Sequence, residues 1–402
     1  MILKFRHLIL IIIFVVIIII VGNIFILIFK KHESINIDYY DELITKYKND
    51  KIMLTCVLAG EWLVKNQLKN GKFNYSYDPW QNSYSSDYNL LRHAGTAYSL
   101  ARLYRYANLS IFRESASRAI EYLLNFSCNS SYGRYIDDGR RPVPLGGTAL
   151  AALAAIEYDE VTKESTFEKE INEMGLFLKN QQASDGSVNC YYSPDQGVSY
   201  GDSDYYAGEA LLAIVRLYEH TRDYDYYVVL EKAFSYYKNY YILRGYTPFA
   251  PWGIEAFVRW YQYSKNQEVL DFCYSVSDAT LEDQYTSLDV SPKDYVGGFG
   301  KISGTPPRSN TASKIEGVVD TYYLAVISGN KSKMSQYRRN IILAAKFLIN
   351  LQIDLEDSLV FPCPERCIGG IPRGVKDSEI RIDYLQHAVV TLLKIREYGI
   401  TI

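Results

Sequence analysis

A Gly/Ala-rich motif that reads as the start of a helix recurs along this chain, and a repeat of this kind constrains the fold more than any other feature. Units too small to bury their own apolar faces must stack on one another. The motif is clearest at Gly95-Thr96-Ala97-Tyr98-Ser99-Leu100, Gly147-Thr148-Ala149-Leu150-Ala151-Ala152 and Gly208-Glu209-Ala210-Leu211-Leu212-Ala213. Looser copies stand at Gly253-Ile254-Glu255-Ala256, Glu316-Gly317-Val318 and Gln386-His387-Ala388. Aligned starts are about 46 to about 71 residues apart, enough for one helix in, one helix back and the loops between them. Each start is preceded by a more amphipathic helical stretch, at Ile52–Gln67, Ile111–Phe126, Thr166–Gln181, Tyr224–Tyr241, Glu268–Thr280 and Ser335–Gln352. Three of these end alike, in Leu63-Val64-Lys65-Asn66-Gln67, Leu178-Lys179-Asn180-Gln181-Gln182 and Leu348-Ile349-Asn350-Leu351-Gln352. Two run into a turn at Asn70-Gly71 or Asp185-Gly186, as expected where a helix stops.

Strand-like alternation is scarce, so the pattern reads as all-α. Small residues let backbones approach closely, which assigns the Gly/Ala helices to a crowded inner ring and their amphipathic partners to the outside. The inner helices are expected to start near Asn89, Gly146, Tyr205, Trp252, Ser313 and Asp383. Inner-to-outer connections are short, as at Asn108–Ser110, Arg222–Asp223 and Gly329–Lys331. Those from outer to inner are mostly long, at Leu68–Ser86, Ser127–Leu145, Ala183–Ser203, Leu281–Ser309 and Ile353–Ser378. All the long loops then emerge on one face, and connections of that length in a compact domain commonly carry function.

On these motifs, about residues 50–398 resemble the (α/α)6 toroid, or six-hairpin, superfamily of glycoside hydrolases, uronyl hydrolases, polysaccharide lyases and sugar 2-epimerases. The resemblance implies a ring of six helical hairpins with a ligand cleft at the mouth, where the inner-helix starts and long loops meet. Isoprenoid cyclases and prenyltransferases form similar toroids. The former need an Asp-x-Asp-Asp acid, which Asp202-Ser203-Asp204-Tyr205 lacks, and the latter a zinc site whose Cys has no counterpart at an inner-helix start.

Alignment on the repeat places Thr96, Thr148, Glu209, Glu255 and His387 at one depth, with Glu316 at or beside it. Carboxylates facing a small-residue interior are costly to bury unpaired, so they are expected to meet ligand, water or a structural partner. Just upstream stand Asp87, Tyr88, Arg92, His93, Asp204, Trp252, Arg308, Arg381 and Asp383. Ring closure makes the first and sixth inner helices neighbours and is expected to cluster Arg92 and His93 with Asp383 and His387. Glu209 would then face Asp383, and Glu255 would face Asp87, across the mouth. The candidate catalytic residues are Glu209, Glu255, Glu316, Asp383, His93 and His387; Asp87, Tyr88, Arg92, Asp204, Trp252, Arg308 and Arg381 are the candidate substrate-binding set. Paired carboxylates and a His–Asp contact suit acid–base chemistry on a glycan. Three arginines suit an acidic one, since guanidinium grips carboxylate in bidentate fashion. Hydrolase, lyase and epimerase stay open, and a non-catalytic toroid that binds glycan or protein is the competing reading. No His-x-x-x-His or Cys-x-x-Cys spacing supports a metal, and no cofactor is expected.

Residues 8–29 run apolar but for Gly22 and Asn23, long enough to cross a bilayer as one helix. The run exceeds the core of a secretory signal, and no small-x-small cleavage site follows. The expected division is a short tail at 1–7, a transmembrane anchor at 8–29, a linker at 30–50 and the toroid at 51–402. Lys4 and Arg6 precede the span and Lys30 and Lys31 follow it, so flanking charge leaves its orientation undecided. Asn-x-Ser sequons at Asn74, Asn108, Asn125, Asn129 and Asn330 favour a cytoplasmic N-terminus and an extracellular or lumenal toroid. In that setting Cys363 and Cys367 read as a disulfide that staples the last long loop. A net charge of −3 calls for no nucleic-acid partner.

Overall fold

The computed structural model describes residues 36–201, 205–244, 250–289 and 291–402. The apolar stretch 8–29, and Asp202 and Asp204 of the third long loop, lie outside the described residues. Among the described residues no helix is long and apolar enough to cross a membrane.

The chain is an (α/α)6 toroid. After a short helix α1 (Ile37–Lys46) come outer and inner helices in alternation. The outer set is α2 (Lys51–Lys65), α4 (Ser110–Leu124), α6 (Glu168–Lys179), α8 (Tyr224–Arg244), α10 (Gln267–Leu281) and α12 (Lys331–Leu351). The inner set is α3 (Leu90–Ala107), α5 (Gly146–Thr162), α7 (Tyr206–Thr221), α9 (Ala250–Ser264), α11 (Thr311–Ile327) and α13 (Ile382–Glu397). Each inner helix packs on the next and α13 packs back on α3, which closes the ring. The observed starts lie within two residues of those expected, and all open on the face that carries the long connections. Small residues allow this crowding: a Cβ at Gly95 of α3 would strike the Gln386 side chain of α13.

The recurrent Gln is the fastener between outer helices. Gln67 Nε2 donates to the carbonyls of Gly71, in its own turn, and Ser115, on the next outer helix, at 3.1 and 2.9 Å. Gln182 does the same to Gly186 and Val229, and Gln352 to Gly369 and Thr55, the last across the closing seam. Gln284 repeats the device with Gly297 and Asn340, a fourth copy hidden because Thr280, not Leu, stands four residues before it. The glycine must be glycine: Gly186 has φ +93°, and a Cβ there would overlap the Lys232 carbonyl of α8.

The fold departs from the all-α expectation in the long connections, which contain short strands. The first and last connections join in one sheet, ordered β2 (Ser83–Tyr84), β1 (Ser76–Asp78), β4 (Asp377–Arg381), β3 (Pro372–Gly374). Val143–Pro144 of the second connection pairs with Tyr191–Ser193 of the third. Backbone groups in long connections need partners, and strands of two to five residues are too short for alternation to reveal them. The linker expected at 30–50 also contains α1, whose Tyr40 packs with Leu58 and Ile368. The staple expected between Cys363 and Cys367 is not formed; the Cys367 thiol donates to the Cys363 carbonyl at 3.4 Å instead.

Candidate active site

The mouth holds a cavity of about 380 Å³ lined by the first turns of the inner helices. Helical spacing decides which side chains reach it. On α7, Tyr206 and Glu209 stand three apart on one face; on α13, Asp383, Gln386 and His387 share one; Arg92 comes from α3 and Trp252 from α9. The cavity therefore gathers six of the expected residues: Glu209, Asp383, His387, Arg92, Arg381 and Trp252.

Glu209 is the unusual member. It is buried, and its Oε2 has no hydrogen-bond partner among the described residues. Burial pushes its carboxyl up to about 8, so it carries its proton at neutral pH. Gly146, the first residue of α5, makes the room: a Cβ there would fall on Oε2. Asp383 is the opposite case. Arg381 grips it through Nε and a terminal nitrogen at 2.6 and 3.0 Å, and Arg92 Nε lies 3.3 Å from the oxygen that the terminal nitrogen meets. Two guanidinium groups around one carboxylate leave that wall with net positive charge.

His387 is half-buried, with Nδ1 3.2 Å from Glu316 Oε2 and its ring 5.5 Å from that of Trp252. Glu316 is fully buried and does not line the cavity; its contact orients the imidazole of His387 through Nδ1. The other oxygen of Glu316 lies 3.2 Å from Lys394 Nζ, which also reaches Glu255 at 2.5 Å and Asp320 at 2.8 Å. Lys394 is completely buried, two helical turns below His387. Burial alone would raise Glu255, but Lys394, Arg259 and Arg102 hold it well below the usual carboxylate range. Asp320 is pushed up to about 7, by burial first and then by the neighbouring carboxylates.

Several expected members therefore fall elsewhere. Glu255 spends its oxygens on Lys394 and on Arg259 at 3.0 Å, one turn along α9, while Asp87 is exposed on the first connection, so the two do not face each other. His93 follows Arg92 by one 100° step and so points outward into the seam with α4. There its Nε2 meets the Ala119 carbonyl at 2.9 Å, its Nδ1 meets the Tyr88 hydroxyl at 2.5 Å, and burial pushes it down to about 4. Tyr88 is thereby occupied outside the cavity, and His93 does not pair with His387. Arg308 is exposed, and its backbone pairs with that of Gly374.

Lys394 and Asp320 escaped the sequence reading, although a signal exists. Asp320 follows Glu316 by four and Lys394 follows His387 by seven, so both continue a polar stripe down an otherwise apolar inner helix.

No protein-family model and no curated protein matches this sequence. Solved structures do match across nearly the whole ring. An unsaturated glucuronyl hydrolase specific for heparin has 10% identity and TM-score 0.63, covering 87% of this chain and 98% of its own. A family 76 α-mannanase from Bacteroides thetaiotaomicron has 11% and 0.61, covering 89% and 98%. A D-mannose isomerase has 14% and 0.60, covering 85% and 96%. At these identities the likeness is one of fold.

Proposed function

We propose that this chain is an enzyme acting on a saccharide with an acidic group, with Glu209 as proton donor and His387 as proton acceptor. The observation that carries the reading is Glu209, a buried, proton-bearing carboxyl with an unengaged oxygen in the same cavity as an imidazole oriented by a buried carboxylate. A donor poised near neutral pH and a base on one cavity are what acid–base cleavage of a glycosidic bond needs. Glu209 gives its proton to the departing oxygen as the C–O bond breaks. His387 Nε2 takes a proton, either from the water that adds to the sugar or from the ring carbon beside the sugar carboxylate. The first course is hydrolysis; the second is elimination, which leaves a double bond. Arg92 and Arg381 favour an anionic sugar at that wall, and Trp252 offers a face for its ring. The solved structures of this fold named for glucuronyl hydrolase, mannanase and mannose isomerase activities support a saccharide as the ligand.

The test is the full-length protein in detergent, incubated with uronic-acid-containing and neutral oligosaccharides. Turnover of the acidic set is expected, with ultraviolet absorbance of an unsaturated product separating elimination from hydrolysis. Measurable affinity with no turnover of any saccharide would make it a glycan-binding toroid instead.

We also propose that residues 8–29 anchor the protein, with the N-terminus cytoplasmic and the toroid outside or in a lumen. The length of the apolar run supports the anchor, and the five sequons support the orientation. An impermeant thiol reagent should label intact cells; labelling only after lysis would reverse the orientation.

A further inference from the structure

The tether and the mouth share one edge of the toroid. Helix α1 descends the outer wall: Ile37 and Tyr40 pack with Leu355, Leu359 and Ile368 of the last mouth connection. Tyr40 also accepts a hydrogen bond from Lys65, the last residue of α2, at 3.0 Å. At the other end of α1 the chain turns at Tyr47–Asp50 and enters α2, which climbs back to the mouth. Asn36, the N-cap of α1, therefore stands on the mouth side.

Residues 30–35 are all that separate Asn36 from the apolar stretch ending at Phe29. Those steps reach at most about 25 Å when fully extended. An inner helix of about 17 residues is itself roughly 25 Å long. A bilayer holding residues 8–29 thus lies within easy reach of the mouth rim, and reaches the closed end only with the linker drawn taut down the wall.

The rim on that side exposes apolar side chains. Trp80 of the first connection is 60% exposed and stacks edge-on against Phe361 of the last, whose neighbour Val360 is 61% exposed. Leu288 and Ile302, on the fifth connection, are 93% and 71% exposed. Trp80 and Val360 lie beside the attachment point of the anchor, and the fifth connection joins the last through Arg308 and Gly374; tryptophan and large aliphatic side chains on such neighbouring connections match the headgroup–acyl boundary of a membrane.

We propose that this rim of the mouth seats on the bilayer that holds residues 8–29, with Trp80, Val360, Leu288 and Ile302 in contact with lipid. The proposal rests on the anchor reading above. Trp62, Trp252 and Trp260 are buried, so Trp80 is the tryptophan that lipid can reach. The full-length protein is reconstituted in phosphatidylcholine vesicles with and without lipid brominated near the headgroup end of its chains. Tryptophan emission is expected to fall with brominated lipid, and the fall to vanish in Trp80→Phe. It should shrink by more than half in the double variant Ile302→Asp, Val360→Asp, whose melting temperature should match wild type because both positions are exposed. Protein that floats with the vesicles but shows no quenching overturns the proposal and leaves the anchor standing. Failure to float overturns the anchor and the proposal with it. Dimers in detergent together with unquenched emission would mean that the rim covers a second copy of the chain.

Discussion

Replacing Glu209 with Gln should make the protein more stable and inactive, and the size of the first effect follows from the site. In the unfolded chain this carboxyl titrates at its ordinary value of 4.5, and in the folded protein at about 8 because burial disfavours its ionised form. The folded value is the higher one, so native stability is greatest below pH 4.5 and declines as pH rises through 8, where the unfolded chain has released a proton that the folded one still holds. At about 1.36 kcal/mol per pH unit, the ionised form costs on the order of 4–5 kcal/mol. Gln escapes that cost but buries an amide, at about 1–3 kcal/mol where its partners are missing. The Gln variant should therefore exceed wild type by roughly 1–4 kcal/mol at pH 9, and match or fall below it at pH 4. Urea denaturation across that range measures the difference, and unchanged m-values keep the comparison valid. Turnover should fall by about 10²-fold or more, with affinity retained. A variant that is less stable than wild type at every pH, or whose stability follows pH with the same slope, would refute the burial argument and with it the proton-donor role.

Lys394→Met should destabilise the fold by about 3–5 kcal/mol at pH 7, since it strands Glu255, Glu316 and Asp320 in the interior. Part of that loss should be recovered on acidification, read by chemical denaturation at pH 5 and pH 7, because Asp320 already titrates at about 7. Gly146→Ala should cut turnover at least about tenfold with a small change in melting temperature, because its Cβ displaces the Glu209 carboxyl rather than backbone. Gly186→Ala should cost about 1–3 kcal/mol in denaturant midpoint analysis while leaving kcat per folded molecule unchanged, since its positive φ and the Lys232 carbonyl lie far from the cavity.

The ring was legible in the sequence because the Gly/Ala-rich helix start recurs at a fixed place, and at Gly95 it answers a steric requirement, since a Cβ there would strike Gln386 of the neighbouring inner helix. Depth along the repeat also identified Glu209 and His387 as residues of the mouth. Direction around the helix was harder to read. Inner helices are buried on nearly every side, so apolar periodicity does not tell the barrel-facing side from the outer seam, and His93 beside Arg92 was placed on the wrong one. Glu255 was misread for a related reason. Its partner Lys394 lies far along the chain, near the end of α13, where a lysine ordinarily faces water and complements the helix dipole. The strands of the mouth follow from pairings between separate connections, such as Tyr77 with Ile380, that no local pattern encodes.

The lysine beneath the mouth also bears on how the ring knows that it is complete. Glu255 and Glu316 with Asp320 belong to the fourth and fifth inner helices, and the cation that all three contact belongs to the sixth. Until α13 docks, these carboxylates face an open, watered groove, where their charge is tolerable. A ring that closed one hairpin early would bury them without their lysine, a far worse state than staying open. The network thus favours the six-membered ring over a five-membered one, in which Glu255, Glu316 and Asp320 would lack Lys394.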